Sequence, residues 1–352
     1  MHLNIIGYEY RPWDGYGRFA TYLAKALIGL GVDVHLLLAE QCSAPAWMHD
    51  RWGIDWSARA VSILPPFYLQ STPRGSGPHW LYTMTEGSRL PGGGNAPSWA
   101  DIINSSNVER VIVPCQHNAD AFSSSGVVCP VNVVVGGTEP DDFPLIRNRP
   151  ARPYTFLTVA DRGARKGWIE TWQAFYKAFG GPKDTPDVRL IIKARPNGNE
   201  MLDLISKADN PDPRITIMLE DLPSLANFYR LGDCLVMVSR SEGFGMIMRE
   251  GAMMGLPVIT QLCSGVDDGY THEWASVIEA GAWEAIPSHF DHIAGDWRKC
   301  DVGALAKEMD WHYRNPLMGQ AMGKSAANWL RAHQTWEISC RKLLGLMTSE
   351  GV

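Results

Sequence analysis

The sequence predicts an α/β protein built from two doubly wound domains. The chain has 352 residues, a length that suggests about two domains of ordinary size. Its beginning has the pattern of a strand over 3–7, a polar loop, a helix over 19–30 capped by Gly31, and a strand over 34–38. This order starts a doubly wound sheet. A second strand–loop–helix–strand unit occupies 231–260.

The composition is that of an ordinary globular protein, with 45% hydrophobic and 20% charged residues. The formal net charge of -6 gives no electrostatic footprint for a phosphate backbone, so nucleic acid is not the favoured partner. Seven scattered cysteines without CxxC spacing predict reduced thiols and a cytoplasmic protein. Because no apolar run is long enough to span a bilayer and the chain opens directly into a strand, we expect neither a membrane span nor a signal peptide.

Residues 231–260 carry the strongest local pattern. The apolar run 235–238 is typical of a strand buried on both faces. Residues 239–245 form a polar turn that contains glycine, and 246–254 carry good helix formers. Gly255 follows as the expected C-cap of that helix.

The polar turn in this unit predicts a binding site for an anion and for hydroxyl groups. It ends at a helix N-terminus, where free N–H groups and the helix dipole favour an anion such as a diphosphate. Gly243 and Gly245 let the backbone approach a ligand closely. Glu242 in the turn and Glu250 on the helix suit sugar hydroxyls, since a carboxylate accepts from several O–H donors. An ordinary βαβ unit with surface acids is the alternative interpretation.

The run from Ser239 to Ile259, S-R-S-E-G-F-G-x-x-x-x-E-x-x-x-x-G-x-P-V-I, resembles the donor-site signature of the retaining glycosyltransferases of family 4. Glu242 and Glu250 match the E-x7-E motif of that family. The family usually has E-A-M-A-x-G where this chain has E-G-A-M-M-G. The resemblance implies the GT-B fold, in which two doubly wound Rossmann-like domains face each other across a cleft.

The resemblance also implies an activity, namely transfer of a sugar from a nucleotide-diphosphate sugar to an acceptor hydroxyl with retention of configuration. It assigns Glu250 to the donor ribose and Glu242 to hydroxyls of the transferred sugar. The backbone of Gly243, Phe244 and Gly245 would position the sugar and the phosphate. No residue stands out as a covalent nucleophile, and in this family the leaving phosphate is thought to help deprotonate the acceptor.

The basic loop 160–167, ADRGARKG, precedes a predicted helix and is the candidate diphosphate site. The family has an Arg and a Lys-Gly at this place, both of which reach the donor diphosphate. Lys166 and the following glycine match well, Arg162 is the better match for the Arg, and Arg165 is the alternative. Fixed cations stabilise the charge that develops on the leaving diphosphate, so Lys166 is also a candidate catalytic residue.

The first domain supplies the acceptor-side candidates. Gly15 and Gly17 match a glycine-containing loop that the family places next to the donor phosphates and the acceptor. Glu86 follows a predicted strand over 80–85, and ligands of such sheets gather outside the carboxyl ends of the strands. Glu86 is therefore the candidate acceptor-side acid or base, and His117, at the start of the next helix, is a further candidate.

The resemblance divides the chain into an N-terminal acceptor-side domain over 1–147 and a donor-binding domain over 151–332. A C-terminal helix over 333–352 would cross back to the first domain. We expect no cofactor and no bound metal, because GT-B enzymes generally do not need one. The donor would be a nucleotide sugar of the UDP or GDP type. The oligomeric state is open.

Three alternatives remain at this stage. The default acceptor is a glycan or a lipid-linked glycan, but a hydroxylated base in DNA, as phage-type enzymes modify, is a second option. An NAD-dependent sugar-nucleotide-modifying enzyme is another, since Gly15-x-Gly17-x-x-Ala20 approximates a dinucleotide fingerprint and Glu40 ends the second strand. Against NAD, the loop before these glycines is longer than the tight turn that the fingerprint needs. The third is a non-catalytic nucleotide-sugar-binding or lectin-like module.

Overall fold

A computed structural model of the chain describes residues 1–8, 10, 15–38, 45–72, 75–92, 97–146, 153–160, 163–185, 187–194, 212–220, 222, 224–290 and 292–349. The chain divides into two compact units. The first unit comprises Met1–Gly137, Ala285–Asp296 and Gln334–Val352, and the second comprises Thr138–Glu284 and Trp297–His333. Among the residues described, no helix is both long and apolar enough to cross a bilayer.

Strands and helices alternate along most of the chain. The strands are β1 (His2–Gly7), β2 (Asp33–Leu38), β3 (Arg59–Ile63), β4 (His79–Tyr82), β5 (Arg110–Val113), β6 (Val131–Val133), β7 (Tyr154–Ala160), β8 (Val188–Ala194), β9 (Ile215–Met218), β10 (Cys234–Met237), β11 (Val258–Gln261), β12 (Ser276–Ile278), β13 (Ala280–Ala285) and β14 (Asp296–Cys300). The helices are α1 (Gly15–Gly29), α2 (Trp99–Ser105), α3 (Gln116–Ser124), α4 (Trp168–Phe179), α5 (Leu225–Tyr229), α6 (Met246–Met253), α7 (Thr271–Trp274), α8 (Val302–Arg314), α9 (Pro316–His333) and α10 (Trp336–Ser349). Short 3-10 helices cover Ala46–Arg51, Pro66–Ser71, Gly163–Lys166 and Ser264–Val266.

The first unit is built on a parallel sheet with the strand order β2-β1-β3-β4-β5-β6. The order reverses at β1 and β3, as in doubly wound sheets of the flavodoxin type. Helix α10 completes this unit by packing on α1. The buried ring of Trp336 lies edge-on to Phe19 at 4.6 Å between centroids, and Ser339 Oγ donates to the carbonyl of Val135 at 2.6 Å.

Helix α1 begins four residues earlier than its apolar spacing predicts. The sequence predicts a loop through Gly17 and a helix from Phe19, whereas the helix begins at Gly15. The reason lies in the first turn, where the hydroxyl of Tyr16 bonds to Thr83 Oγ1 at 3.0 Å and donates to the carbonyl of Met84 at 3.1 Å. Both candidate glycines are therefore in the helix and not in a loop.

The second unit is built on a parallel sheet with the order β12-β11-β10-β7-β8-β9. The order in which successive strands are added to the sheet reverses between β7 and β10, as it does in a dinucleotide-binding sheet. Aliphatic and aromatic side chains from β7, β8, β10, α4 and α8 form one buried core. The two sheets confirm the prediction of a GT-B fold with two doubly wound units.

The chain enters the second unit before it reaches the proline-rich linker. The amide of Ile146 donates to the carbonyl of Met254 at 2.9 Å, and the rings of Phe143 and Tyr229 are 6.0 Å apart. Arg331 also donates to the carbonyl of Phe143 at 3.1 Å. Residues 147–152 of the linker lie outside the described residues.

Strands β13 and β14 form a separate two-stranded ladder, whose turn segment belongs to the first unit. There the amide of Arg89 donates to the carbonyl of Ala294 at 3.2 Å, and the amide of Asp296 donates to Ser88 Oγ at 2.8 Å. The approach is close at Gly87, where an added Cβ would come within 2.0 Å of the Ala294 oxygen. The segment therefore packs directly beside Glu86.

Candidate functional site

The second unit brings two predicted site segments together at its topological switch point. The loop with Lys166 follows β7, and the loop with Glu242 follows β10. These strands are neighbours, and the strand order reverses between them. Ligands of open α/β sheets bind outside the carboxyl ends of strands at such a point. The amide of Arg240 donates to the carbonyl of Arg165 at 2.7 Å, which fixes one loop against the other.

A buried charge cluster occupies the space between the two loops. Lys166 Nζ lies 2.7 Å from Glu242 Oε1, and Arg165 Nη1 lies 3.5 Å from Glu242 Oε2. The exposed fractions of these three side chains are 9%, 4% and 7% for Lys166, Arg165 and Glu242. Ser239 Oγ also donates to Glu242 Oε1 at 2.7 Å. Two cations thus meet one carboxylate in a site that is largely screened from water.

The cluster keeps Glu242 ionised. Burial alone raises the pKa of this carboxyl, but the positive charges of Lys166 and Arg165 and the hydrogen bonds from Lys166 and Ser239 outweigh it. The net effect lowers the pKa of Glu242 from 4.5 to about 2. At neutral pH the carboxylate therefore accepts hydrogen bonds only, and it can accept them from the O–H groups of a sugar.

Glycines shape both loops. Gly167, between Lys166 and α4, has φ of 67°, and a Cβ there would lie 2.1 Å from the carbonyl oxygen of Val238. Gly245, which caps α6, has φ of 77°. Residues other than glycine rarely adopt such positive φ values. The two loops can therefore approach each other, and a ligand, more closely than they could if residues 167 and 245 carried side chains.

A third segment, which follows β11 and contains Ser264 and Gly265, supports the Glu242 loop. The amide of Gly265 donates to the carbonyl of Glu242 at 2.8 Å, and Ser264 Oγ lies 2.7 Å from the Glu242 amide nitrogen. Ser264 has φ of 26°, an uncommon value for a residue other than glycine. A Cβ on Gly265 would come within 2.1 Å of the Gly243 oxygen. The backbone around Glu242 is thus held from both sides.

Glu250 lies on α6 with 2% of its surface exposed. Its Oε2 accepts a hydrogen bond from the hydroxyl of Tyr229 at 3.0 Å, and the same hydroxyl lies 3.1 Å from the carbonyl of Ile247. Tyr229 comes from α5 and is fully buried. Tyr229 was not among the predicted site residues, because nothing in the sequence links it to a carboxylate 21 residues further on.

Arg249 is a second residue that the sequence analysis missed. Its side chain is fully buried and forms an ion pair of 2.6 Å with Asp268, which is equally buried. Arg249 also donates to the carbonyl of Phe244, and its guanidinium stacks on the rings of Phe244 and Trp274 at 4.1 and 4.8 Å. It therefore ties the signature loop to α6 and to the turn after β11. The sequence did offer one sign of a structural role for Arg249, since it is a charged residue among methionines on a predicted helix.

Arg240, the arginine of the signature run, points away from the charge cluster. It forms ion pairs with Glu170 of α4 and with Glu284 of β13, and it stacks on Trp297 at 5.4 Å. Trp297 Nε1 donates to the same Glu284 oxygen at 2.9 Å. Arg240 thus anchors the β13–β14 ladder.

Two buried polar atoms near the cluster have no hydrogen-bond partner among the residues described. They are Ser241 Oγ and Gln261 Oε1, on side chains that are 1% and 0% exposed. The Gln261 amide nitrogen donates to the carbonyl of Ser239 at 3.0 Å. Because buried polar groups are normally paired, these two atoms are exceptions within the described part of the chain.

The acceptor-side candidates lie in the first unit, at the carboxyl end of β4. Glu86 is half-buried, and its neighbours are held by α3. Asn118 Oδ1 accepts from the Thr85 amide at 2.5 Å, and His117 Nε2 lies 3.2 Å from the Gly87 carbonyl. His117 therefore supports the Glu86 turn. The bonds from Tyr16 to Thr83 and Met84 bring the start of α1, with Gly15, to the same strand end.

Two predicted residues, Arg162 and Glu40, lie outside the described residues. The structure does place Arg165, the alternative to Arg162. Besides its contact with Glu242, Arg165 Nη1 donates to the carbonyl of Ser241 at 2.8 Å. Arg165 therefore lies in the same cluster as Lys166.

Comparison with known proteins agrees with this geometry. Residues 154–294 match the family model described as glycosyl transferases group 1. Over 199 residues the chain is 28% identical to D-inositol 3-phosphate glycosyltransferase of Mycobacterium tuberculosis. That match takes in 53% of this chain and 40% of the relative, so the chain covers less than half the length of the curated relatives it matches.

Solved structures match the whole chain. Sucrose-phosphate synthase from Thermosynechococcus elongatus has a TM-score of 0.68 at 16% identity, and the match covers 99% of this chain and 98% of that one. Anabaena HepE, solved in complex with UDP-glucose, has a TM-score of 0.68 at 11% identity, with coverage of 99% and 100%. The chain thus has the GT-B fold, and its residues 154–294 are similar to the glycosyl transferases group 1 family.

Proposed function

We propose that this protein is a glycosyltransferase that moves a hexosyl or pentosyl group from a nucleotide-diphosphate sugar to an acceptor hydroxyl, with retention of configuration. The observation that carries the proposal is the buried cluster of Lys166, Arg165 and Glu242 at the switch point of the second sheet. Cations for a diphosphate and an ionised acid for hydroxyl groups lie there within hydrogen-bonding distance of each other.

In this proposal Lys166 and Arg165 stabilise the diphosphate as it leaves. Negative charge grows on the leaving group while the glycosidic bond breaks, and preorganised cations in a site with little water stabilise that charge strongly. Lys166 has three N–H donors, so its bond to Glu242 leaves donors for phosphate oxygens. Arg162 would be the further cation in this role.

Glu242 and Glu250 would bind hydroxyl groups at the two ends of the donor. Glu242 lies in the charge cluster and is assigned to the transferred sugar. Glu250 is buried on α6, where Tyr229 orients its carboxylate, and is assigned to the ribose. The backbone of Gly243, Phe244 and Gly245 would bind the sugar and the phosphate. No cofactor and no metal enter this scheme.

Glu86, in the first unit, is the proposed acceptor-side acid or base. Its turn is held by His117 and Asn118, which would keep the carboxylate in one place. Gly15 and Gly17, in the first turn of α1, are proposed as neighbours of the donor phosphates and the acceptor.

The default acceptor is a hydroxyl of a glycan or a lipid-linked glycan. The activity of the curated relatives on inositol 3-phosphate adds a polyol phosphate to the compounds to be tested. The proposed compartment is the cytoplasm, since the six cysteines among the described residues are free thiols.

The first experiment is a thermal-shift panel with UDP, GDP, ADP, their common sugar conjugates and NADH. A ligand at 100 times its Kd stabilises a fold by about 2.7 kcal/mol. We expect a shift with one nucleotide family in the wild-type protein and its loss in Glu250→Ala. Glu337→Ala is the matched control, because this glutamate forms an exposed ion pair with Arg341 in α10.

The outcomes separate the proposed function from its rivals. A nucleotide shift that persists in Glu250→Ala would move the ribose site elsewhere. A shift with NADH alone would favour the NAD-dependent enzyme. The non-catalytic module would be favoured if the protein bound the donor but neither hydrolysed it nor transferred its sugar to any acceptor in a panel that includes hydroxymethylated DNA.

A further inference from the structure

A cluster of metal-ligating side chains lies in the first unit, outside the candidate functional site. His2 comes from β1, His35 from β2, and Asp55 from the segment before β3. One ligand atom from each lies within 4.8 Å of the others. The parallel register pairs His2 with Asp33 and Asn4 with His35, so these four side chains leave the sheet on the same face.

Neighbouring groups orient the first of the three ligands. His2 Nδ1 lies 3.0 Å from Asp33 Oδ2. An imidazole that donates its Nδ1 proton to a carboxylate keeps the lone pair of Nε2 for a metal. Carboxylate–histidine pairs of this kind recur behind metal ions in proteins.

Asp55 is held as firmly. The amide and the hydroxyl of Ser57 donate to Asp55 Oδ1 at 3.0 and 2.8 Å. The buried side chain of Asn4 donates to the Asp55 carbonyl at 2.7 Å and accepts from its amide at 3.0 Å. The preceding residues pair with the edge strand, since the amide of Gly53 donates to the carbonyl of Leu36. This pairing brings Asp55 next to His35.

Two imidazole nitrogens and one carboxylate oxygen make a donor set for a divalent first-row transition metal. Zn²⁺ bonds to such atoms at about 2.0–2.1 Å, which puts tetrahedral ligand atoms roughly 3.3 Å apart. The three ligand atoms lie within 4.8 Å of one another, so small side-chain rotations would bring them to this spacing. His2 and its neighbour Asp33 have room to rotate, because their side chains are 62% and 54% exposed. We propose that His2, His35 and Asp55 bind one Zn²⁺-like ion, and that Asp33 positions His2.

The position of the cluster assigns the ion a structural role. It lies at the amino ends of β1 and β2, whereas Glu86 and Gly15 follow the carboxyl ends of their strands. At about 3.3 Å per residue, the six residues of β1 separate the two ends by roughly 17 Å. The ion would fasten the edge strand β2 and the segment before β3 to β1. No metal was expected from the sequence, because GT-B enzymes generally do not need one, and these three ligands are far apart in the chain.

The test is calorimetric titration of metal-free protein, without an added histidine tag, with Zn²⁺ alone. We expect one equivalent to bind to the wild-type protein and a rise of Tm on binding. His35→Ala should abolish both effects, and Asp33→Asn should weaken binding by about 10–100-fold. His289→Ala, which removes an exposed histidine elsewhere in the first unit, is the control and should bind as the wild type does.

Two results would overturn the proposal. One is the absence of stoichiometric binding to the wild-type protein. The other is unchanged binding by both His35→Ala and Asp55→Asn. The Tm of each variant in EDTA, compared with that of the wild type in EDTA, verifies that it is folded before the metal is added.

Discussion

Replacement of Arg249 by methionine should destabilise the second unit strongly. The substitution puts an apolar side chain of similar length at this position and leaves Asp268 buried without its cation. Both side chains are 0% exposed, so water cannot replace the lost partner. The carbonyl of Phe244 loses a donor as well, and the guanidinium stacks on Phe244 and Trp274 disappear.

The magnitude follows from the burial of the pair. Removal of one partner from a buried ion pair costs about 3–5 kcal/mol, because an uncompensated charge remains in the interior. The same change in an exposed pair costs about 0–1 kcal/mol. Arg314 offers that control in the same unit, since it forms an i,i+4 pair with Asp310 and its side chain is 70% exposed.

Scanning calorimetry measures the difference. For a domain of this size, 1 kcal/mol corresponds to roughly 2–4 °C in Tm, so Arg249→Met should lower the Tm by about 10 °C. Arg314→Met should lower it by less than about 4 °C. Addition of Asp268→Leu to Arg249→Met should recover part of the loss, since an apolar pair can replace a buried ion pair. Equal melting of the two single variants would refute this account of Arg249.

Three further predictions concern the charge cluster. The folded-state pKa of Glu242 lies below its unfolded value, so its stabilising contribution is present above pH 4.5 and is lost as the pH falls toward 2. The difference in unfolding free energy between the wild type and Glu242→Gln should therefore narrow over that range, and a constant difference in urea titrations would contradict the assignment. Lys166→Ala should slow sugar transfer by about 10²-fold or more, whereas the exposed Lys183→Ala should not; equal rates in a donor-turnover assay would place the phosphate site elsewhere. Gly167→Ala should lower the Tm because its Cβ would meet a carbonyl at 2.1 Å, while Gly345→Ala, in an open helical position, should leave the Tm unchanged or raise it by calorimetry.

The local structure of the candidate site could be predicted from the sequence. Short-range patterns determine it: an apolar tetrapeptide for β10, glycine where the backbone takes a positive φ, and helix formers between them. Gly245 and Gly255 have φ values of 77° and 85°, as residues at helix boundaries often do. These features depend on neighbours in the chain, and the sequence displays them directly.

The partners of the charged residues could not be predicted in the same way. Lys166 and Glu242 are separated by 76 positions, and the sequence analysis assigned them to different parts of one donor. Their contact depends on β7 and β10 being neighbours, which follows from the strand order of the whole sheet. The start of α1 is a similar case, since a tertiary hydrogen bond from Tyr16 extends the helix beyond its apolar spacing.

The strand order also explains why the cluster needs its glycines. At the switch point the loops after β7 and β10 leave neighbouring strands of the sheet, so they lie side by side. Gly167 allows the first loop to pass within contact of the second, where the Arg240 amide bonds to the Arg165 carbonyl. The same approach of the two loops lets Lys166 contact Glu242 at 2.7 Å. Because charges fixed in advance require no reorganisation when charge develops, this arrangement suits the leaving diphosphate of the proposed reaction.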